Sequence, residues 1–435
     1  MSLGGGKFLT QNKVLPGAYI NFVSAATASA TLSERGYATM PLELDWGVEG
    51  QVFEVTNGDF QKNSLEIFGY DYTHEKMKGL RDLFKNITTL FAYRLNGGGT
   101  KAENTYATAK YSGVRGNDLK IVIKTNVDEP SAFNVQTVLG TDMMDEQIVK
   151  KASELVDNSW VVFKKEASLS PTAGVALEGG KNKEVTGTEH SKYLEKIEAF
   201  SFNALGVAVT DGVTKSLYVA FVKRMRDEVG QKFQLVIHNQ EADYMGVVNV
   251  NNNTTDKNWP EASLVYWTTG VVAGTAVNKS ATNKKYDGEF TVNVDYTQSQ
   301  LEKAIKGGKF TFHQVGSDVR VLEDINSMVT TTDTEGDVFK DNQTIRVIDQ
   351  IANDIAVLFN TKYLGVVPND KAGRVSLWAD IVKHHEQLQD IRAIENFSDE
   401  HVTVEQGDTK KAVVVNDAIT VVNTMVRLYM TVTVS

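Results

Sequence analysis

Few residues of this 435-residue chain have the types and spacing that do chemistry. His384 and His385 are adjacent in a stretch of helical spacing, and Asp380 lies four residues before His384 on the same helix face. A histidine and a carboxylate one turn apart can hold a metal. The H-E-x-x-H arrangement is missing and no third ligand is evident, so the pair is read as an exposed polar face and no metal is expected. Glycine runs occur at Gly4-Gly5-Gly6-Lys7, Gly97-Gly98-Gly99 and Gly307-Gly308-Lys309. A phosphate-cradling loop needs Ser or Thr directly after its Lys. Phe8 and Phe310 stand there instead, and Thr100 precedes Lys101 in the second run. These glycines read as linkers, and no cofactor is expected. No Gly-x-Ser-x-Gly elbow is present, and no catalytic residue is assigned. Cysteine is absent, which excludes disulfides, thiolate zinc sites and thiol nucleophiles. Tyr19, Tyr266, Trp267 and Tyr429 read as core or subunit-contact aromatics rather than a stacking platform.

The composition opposes broad nucleic-acid binding, though not a local basic patch. Lys and Arg number 45 against 55 Asp and Glu, a net charge of −10, which opposes a broad positive field for phosphates. Hydrophobic residues make up 41% and charged residues 23%, as in globular proteins. At roughly 150 residues per domain the length predicts about three domains. No apolar run approaches a membrane-spanning length. The early glycines fall where a signal peptide would need an apolar core, so secretion by that route is not expected.

The elements that must position these residues change character along the chain. Residues 1–23 read as an arm, in which Pro16-Gly17 precedes a short strand with Ala18, Ile20 and Phe22 on one face and Tyr19 on the other. Residues 24–98 and 186–318 alternate strand and helix signals and are assigned to one α/β domain. There, 65–70 reads as extended, Thr73 as the cap of a helix over 74–86, and 90–95 as a buried strand. Further on, 189–200, 214–229 and 262–273 read as helices, and 204–209, 233–237 and 246–250 as parallel-type strands. Such alternation implies right-handed crossovers and a doubly wound sheet. Residues 99–185 carry short alternating runs at 119–124, 133–138 and 160–163 and read as a small β-sandwich, with 145–155 expected helical. Residues 319–424 read as a C-terminal α+β domain with helices over 346–363 and 377–391 and strands at 401–404 and 412–415. Residues 425–435 form a terminal arm of β-formers with Val426, Leu428, Met430 and Val432 on one face. The fold class is multi-domain α/β plus β with extended arms at both ends.

The two end strands are the most informative feature. Between Val14 and Val23 there is no charge, and Arg427 is the one charge of the last ten residues. Natural edge strands are usually shortened, charged or covered. Strands left this apolar either pair within their own chain or add to a sheet of a neighbour.

At these residues the chain resembles the tail sheath proteins of contractile phage tails and of related bacteriocin or prophage particles. It is most like the short sheath proteins of Gram-positive myophages and defective prophages. The opening Gly4-Gly5-Gly6 and the run Gln11 to Phe22 are similar to that group's N-terminal arm. Tyr111-Ser112-Gly113-Val114-Arg115-Gly116-Asn117-Asp118-Leu119 is similar to the turn that leads into its β-sandwich. The helix from Arg346 and the apolar terminal strand resemble its C-terminal domain. The resemblance implies an α/β domain that is subtilisin-like by fold only, and stacked hexameric rings around a tail tube. It implies terminal strands given to neighbours and a metastable polymer that shortens and widens on baseplate triggering, with hinges at Gly4-Gly5-Gly6 and over 416–424. The implied partners are the chain itself, the tail tube protein, and baseplate and tail terminator proteins, with no nucleic acid and no membrane insertion. The implied place is a virion tail or prophage-derived particle assembled in the bacterial cytoplasm. Lys383, His384, His385 and Arg392 would face an acidic tube. The alternative is an α/β hydrolase-like or nucleotide-binding enzyme. A capsid or tube protein is disfavoured by length and by the α/β alternation.

Overall fold

The structure is a computed structural model that describes residues 32–434. The expected N-terminal strand residues Ala18, Tyr19, Ile20 and Phe22 lie outside the described residues. Strand β1 (Tyr37–Leu42) is followed by β2 (Val52–Thr56), α1 (Asn57–Phe68), α2 (Lys78–Phe84) and β3 (Thr89–Arg94). β1 runs parallel to β3 with Ala38 opposite Leu90, and β2 closes that edge antiparallel to β3. The stretch 65–70, expected to be extended, is instead the last turn of α1 and its exit. The Thr56 hydroxyl accepts from the Asp59 amide at 3.1 Å while the Asp59 carboxylate accepts from the Thr56 amide at 3.3 Å, a complete capping box. Phe60, Ser64 and Phe68 then fall one turn apart on the buried face, and Gly69, at φ 79°, ends the helix left-handed. The helix expected over 74–86 is shorter. His74, rather than Thr73, caps a 3₁₀ turn, Glu75–Met77, that leads into α2.

Next come β4 (Ala107–Ala109), β5 (Leu119–Thr125), β6 (Phe133–Leu139), β7 (Asp142–Val149), β8 (Val161–Phe163) and β9 (Thr172–Ala176). A four-stranded antiparallel sheet, β7-β6-β5-β9, packs with the β4–β8 pair. Their shared core is built from Leu119, Ile121, Ile123, Val135, Leu139, Trp160 and Phe163. The helix expected over 145–155 is not there. Glu146 to Val149 pair with Phe133 to Gln136 in β7, and only a 3₁₀ turn, Ala152–Glu154, follows. Gly140, at φ 62°, makes the β6–β7 turn, and hairpin pairing outweighs the local helical signal.

The chain then returns to the first sheet through α3 (Gly187–Ile197), β10 (Ala204–Val207), α4 (Gly212–Arg224), β11 (Gln234–His238), β12 (Val247–Val250), α5 (Leu264–Gly274), α6 (Gln298–Lys306) and β13 (Lys309–Phe310). The seven strands lie in the order β13-β12-β11-β10-β1-β3-β2, parallel except for β2. Both faces are covered, which explains the unbroken apolar runs. Met40, Ala92, Val236 and Val248 pack under α1, α2 and α5. Leu205, Val207, Leu235 and Ile237 pack under Tyr193 and Ile197 of α3 and Tyr218 and Val222 of α4. At Gly206 the α5 helix approaches so closely that a Cβ would sit 2.1 Å from Thr269 Oγ1. A hairpin of β14 (Phe312–Val315) and β15 (Asp318–Val321) follows the sheet.

The remaining helices and strands are α7 (Asn342–Leu358), α8 (Lys371–Asp390), β16 (Ile394–Glu395), β17 (Val402–Gln406), β18 (Val413–Asp417) and β19 (Thr420–Val421). The described chain divides into two compact units. One holds residues 34–350 and 421–434; the other holds 32–33 and 351–420. The smaller unit has its own core of Leu358, Tyr363, Leu377, Ile381 and Val402, with the antiparallel β17–β18 hairpin beside α8.

Candidate functional site

The exposed end of the chain stands out among the described residues. Residues Met425 to Val434 form no strand with any described residue of the chain. Leu428 is 85% exposed, and Tyr429, Met430, Val432 and Val434 are likewise exposed; Val426 is less so. The stretch is rooted firmly. Gln343 Nε2 donates to the Val422 carbonyl at 2.9 Å, and the Thr424 amide donates to Gln343 Oε1 at 3.2 Å. Thr344 and Asn423 bond each other, and Arg427 pairs with Glu323 at 3.1 Å. A tethered run of apolar β-formers without a strand partner is the surface a soluble chain would be expected to cover.

Helix α8 carries the other expected contact residues, and it sorts them differently from the expectation. Lys383 and Arg392 are exposed. Arg392 sits at φ 60°, where the chain turns out of the helix. His384 and His385 are 1% and 0% exposed, so they form no polar face toward a tube. They point with Ile381 and Leu388 into the smaller unit, where His384 Nε2 lies 2.9 Å from Asp354 Oδ2 and His385 Nε2 lies 2.7 Å from Asp417 Oδ2. Asp380, weighed as a metal partner of His384, bonds Lys362 and Tyr363 instead.

The turn Ser112 to Asn117 has a mechanical task. Glu49 takes hydrogen bonds from the Ser112 amide (2.7 Å) and hydroxyl (3.0 Å). Arg115 Nε donates to the Gly69 carbonyl at 2.7 Å, and Asn182 Nδ2 donates to Asp45 Oδ1 at 2.8 Å. Side-chain bonds from Lys76, Asn182 and Tyr70 hold the Asp45 carboxyl below its ordinary range although burial opposes them. Gly113, at φ 123°, leaves no room for a Cβ, which would lie 2.2 Å from the Asp45 carbonyl oxygen. Asn117 closes the other side with two bonds to Gly180, at 2.8 and 2.9 Å. Trp46, from the segment after β1, fills the sandwich core. This turn fastens the sandwich to the larger sheet.

Among the described residues, no catalytic arrangement assembles at the carboxyl edge of the parallel sheet, the usual ligand position of doubly wound folds. Asp211 caps α4 through the Thr214 amide at 2.7 Å. The Lys215 ammonium, pushed down by burial, reaches the Asn239 carbonyl at 3.5 Å. His238 Nε2 donates to Asn253 Oδ1 at 2.9 Å, and His190 Nδ1 meets the Tyr218 hydroxyl at 2.7 Å, so neither histidine activates a serine. Gly307-Gly308-Lys309 is a tight turn between α6 and β13, in which Gly308 packs on the Ser327 backbone.

Comparison with known proteins gives the same picture over the whole described chain. Four family models match in succession. They are a tail sheath protein Gp18 domain III N-terminal region over residues 35–95 and a phage tail sheath protein beta-sandwich domain over 96–182. A phage tail sheath protein central domain covers 183–327, and a phage tail sheath C-terminal domain covers 334–435. The phage-like element PBSX protein XkdK of Bacillus subtilis is 30% identical over 100% of both chains. The sheath tail protein from Desulfitobacterium hafniense superposes with a TM-score of 0.80 at 34% identity, covering 90% of this chain and 93% of that one. The contracted helical sheath of the anti-feeding prophage shares the fold, with a TM-score of 0.57 at 13% identity over 96% of this chain and 98% of that one.

Proposed function

This chain belongs to the phage tail sheath protein family, and from that membership we propose that it is the subunit of a contractile tail sheath. It is a structural tail protein and not an enzyme. In this reading it polymerises around a tail tube as stacked hexameric rings, joined to baseplate and tail terminator proteins. Shortening of that polymer drives the tube through the host envelope. The α/β domain serves as a subtilisin-like scaffold without chemistry. The observation that carries the reading is the rooted, exposed apolar stretch Met425 to Val434. A strand lent to a neighbouring subunit supplies backbone hydrogen bonds and keeps bodies linked while they shift. The N-terminal residues Ala18, Tyr19, Ile20 and Phe22 are assigned the same task on sequence grounds, and Lys383 and Arg392 remain the residues proposed to face the tube. Free energy for contraction is stored in subunit contacts, so no bound fuel is required.

Truncation tests this directly. A chain ending at Thr424 is expected to stay folded by circular dichroism and to form no tubes or stacked rings in electron micrographs of the concentrated protein. Ordered tubes from the truncated chain would refute the arm assignment.

A further inference from the structure

The buried histidine pair has no part in the sheath reading, yet it lies at the centre of a continuous polar chain. Ser33 donates through its hydroxyl to Asp354 Oδ1 at 2.5 Å and through its amide to Asp354 Oδ2 at 3.3 Å. Asp354, on α7, accepts from His384 Nε2 at 2.9 Å. The Nδ1 atoms of His384 and His385 face each other at 3.4 Å. His385 Nε2 donates to Asp417 Oδ2, the last residue of β18, at 2.7 Å. Phe397 shields the outer ring, its centroid 5.1 Å from that of His385. The charged groups bonded to the rings are Asp354 from α7 and Asp417 from β18, while Lys383 and Glu386 of α8 point outward.

Proton bookkeeping sets what this chain can hold. Each Nε2 meets a carboxylate oxygen, so each must carry its hydrogen. The facing Nδ1 atoms are hydrogen-bonded to each other only when one further proton lies between them. A second one would set two N–H donors head to head. The tautomer of each ring is therefore dictated by its neighbour, and neither ring can turn without breaking two contacts.

We propose that Ser33, Asp354, His384, His385 and Asp417 form one strut that couples two distant points of the chain. These points are Ser33, beside the N-terminal residues, and Asp417, which closes β18 ahead of the C-terminal stretch. Loosening one end loosens the other. The strut goes beyond the sheath reading and does not depend on it.

Hydrogen–deuterium exchange on the full, unassembled chain tests the coupling. His384→Gln and His385→Gln each keep an amide donor for the nearby carboxylate but lose the ring-to-ring contact. Either substitution is expected to speed exchange both beside Ser33 and in 413–417 by about 2- to 10-fold, the range worth one hydrogen bond. Strands β10 to β12 should be unchanged. If His384→Gln acts only beside Ser33 and His385→Gln only on 413–417, the pair is two separate anchors and the strut is refuted. Should either variant unfold, Ser33→Ala removes one hydroxyl at the far end. It must still speed exchange in 413–417, and no change there overturns the proposal. Imidazole nitrogen NMR gives an independent reading. Protonated Nε2 on both rings is expected, and a bare Nε2 on either refutes the chain.

Discussion

Asp82 carries a clear residue-scale consequence. It is fully buried, accepting from the Tyr286 hydroxyl at 2.7 Å and the Glu289 amide at 2.8 Å. Burial pushes its carboxyl up to about 6, against the pull of those hydrogen bonds. A folded value above the unfolded one means the folded chain binds this proton more tightly. The stability it contributes is full below the ordinary carboxylate range and is lost as pH rises through about 6. The loss amounts to at most about 3 kcal/mol. Asp341 is also pushed up to about 6, by burial and by Asp324 beside it. Asp82→Asn is therefore expected to raise the melting temperature at pH 7.5 and to lessen, without abolishing, the fall in stability between pH 5 and pH 7.5. An unchanged pH slope would contradict the assignment. The same scale shows why the histidine pair was misread as exposed. Its partners Asp354 and Asp417 lie thirty or more residues away on separate elements, and no spacing within one helix reveals them.

Elements were legible where a long period or a continuous apolar run settled them. Strands β10, β11 and β12 and helices α3, α4 and α7 fall where the sequence pattern puts them, because a buried parallel sheet leaves unbroken apolar runs. Short segments failed where a nonlocal or terminal signal outweighed local alternation. Leu65 to Phe68 alternates like a strand, but the Thr56–Asp59 box had already started a helix. Asp145 to Val149 is polar enough for a helix, yet hairpin partners in β6 were available. The C-terminal stretch is rich in β-formers, but whether it pairs with its own chain or a neighbour is not in the local pattern, because pairing depends on what lies opposite. Its exposure yields a sharp expectation. Leu428→Asp should leave the melting temperature of the unassembled chain within the small range typical of surface changes, about 0.5 kcal/mol, because no side chain covers Leu428. Polymerisation should be abolished, since in a paired strand the same carboxylate would be buried without a partner. Sedimentation reads the second outcome, and normal polymers would exclude this residue from the contact.

At the scale of the whole molecule, a net charge of −10 makes neighbouring subunits repel. Salt shortens the reach of that repulsion from about 10 Å at 0.1 M to about 3 Å at 1 M. The concentration needed for tube formation is therefore expected to fall as salt rises, measured by light scattering. A rise instead would show that complementary ion pairs govern assembly. The β-rich block stands out in the sequence by its short alternating runs, whereas the division into two units inside α7 leaves no compositional trace. That block has a further property, set by its neck. Thr100 and Lys181, where the chain departs for the sandwich and comes back, are bound to each other by a reciprocal pair of amide–carbonyl bonds, each 3.0 Å. The two ends of the excursion thus touch, and the seven-stranded sheet already closes across the gap. Insertions, deletions or a foreign module grafted between Thr100 and Lys181 are therefore expected to leave the seven-stranded sheet folded, provided Trp46 is given a new apolar seat.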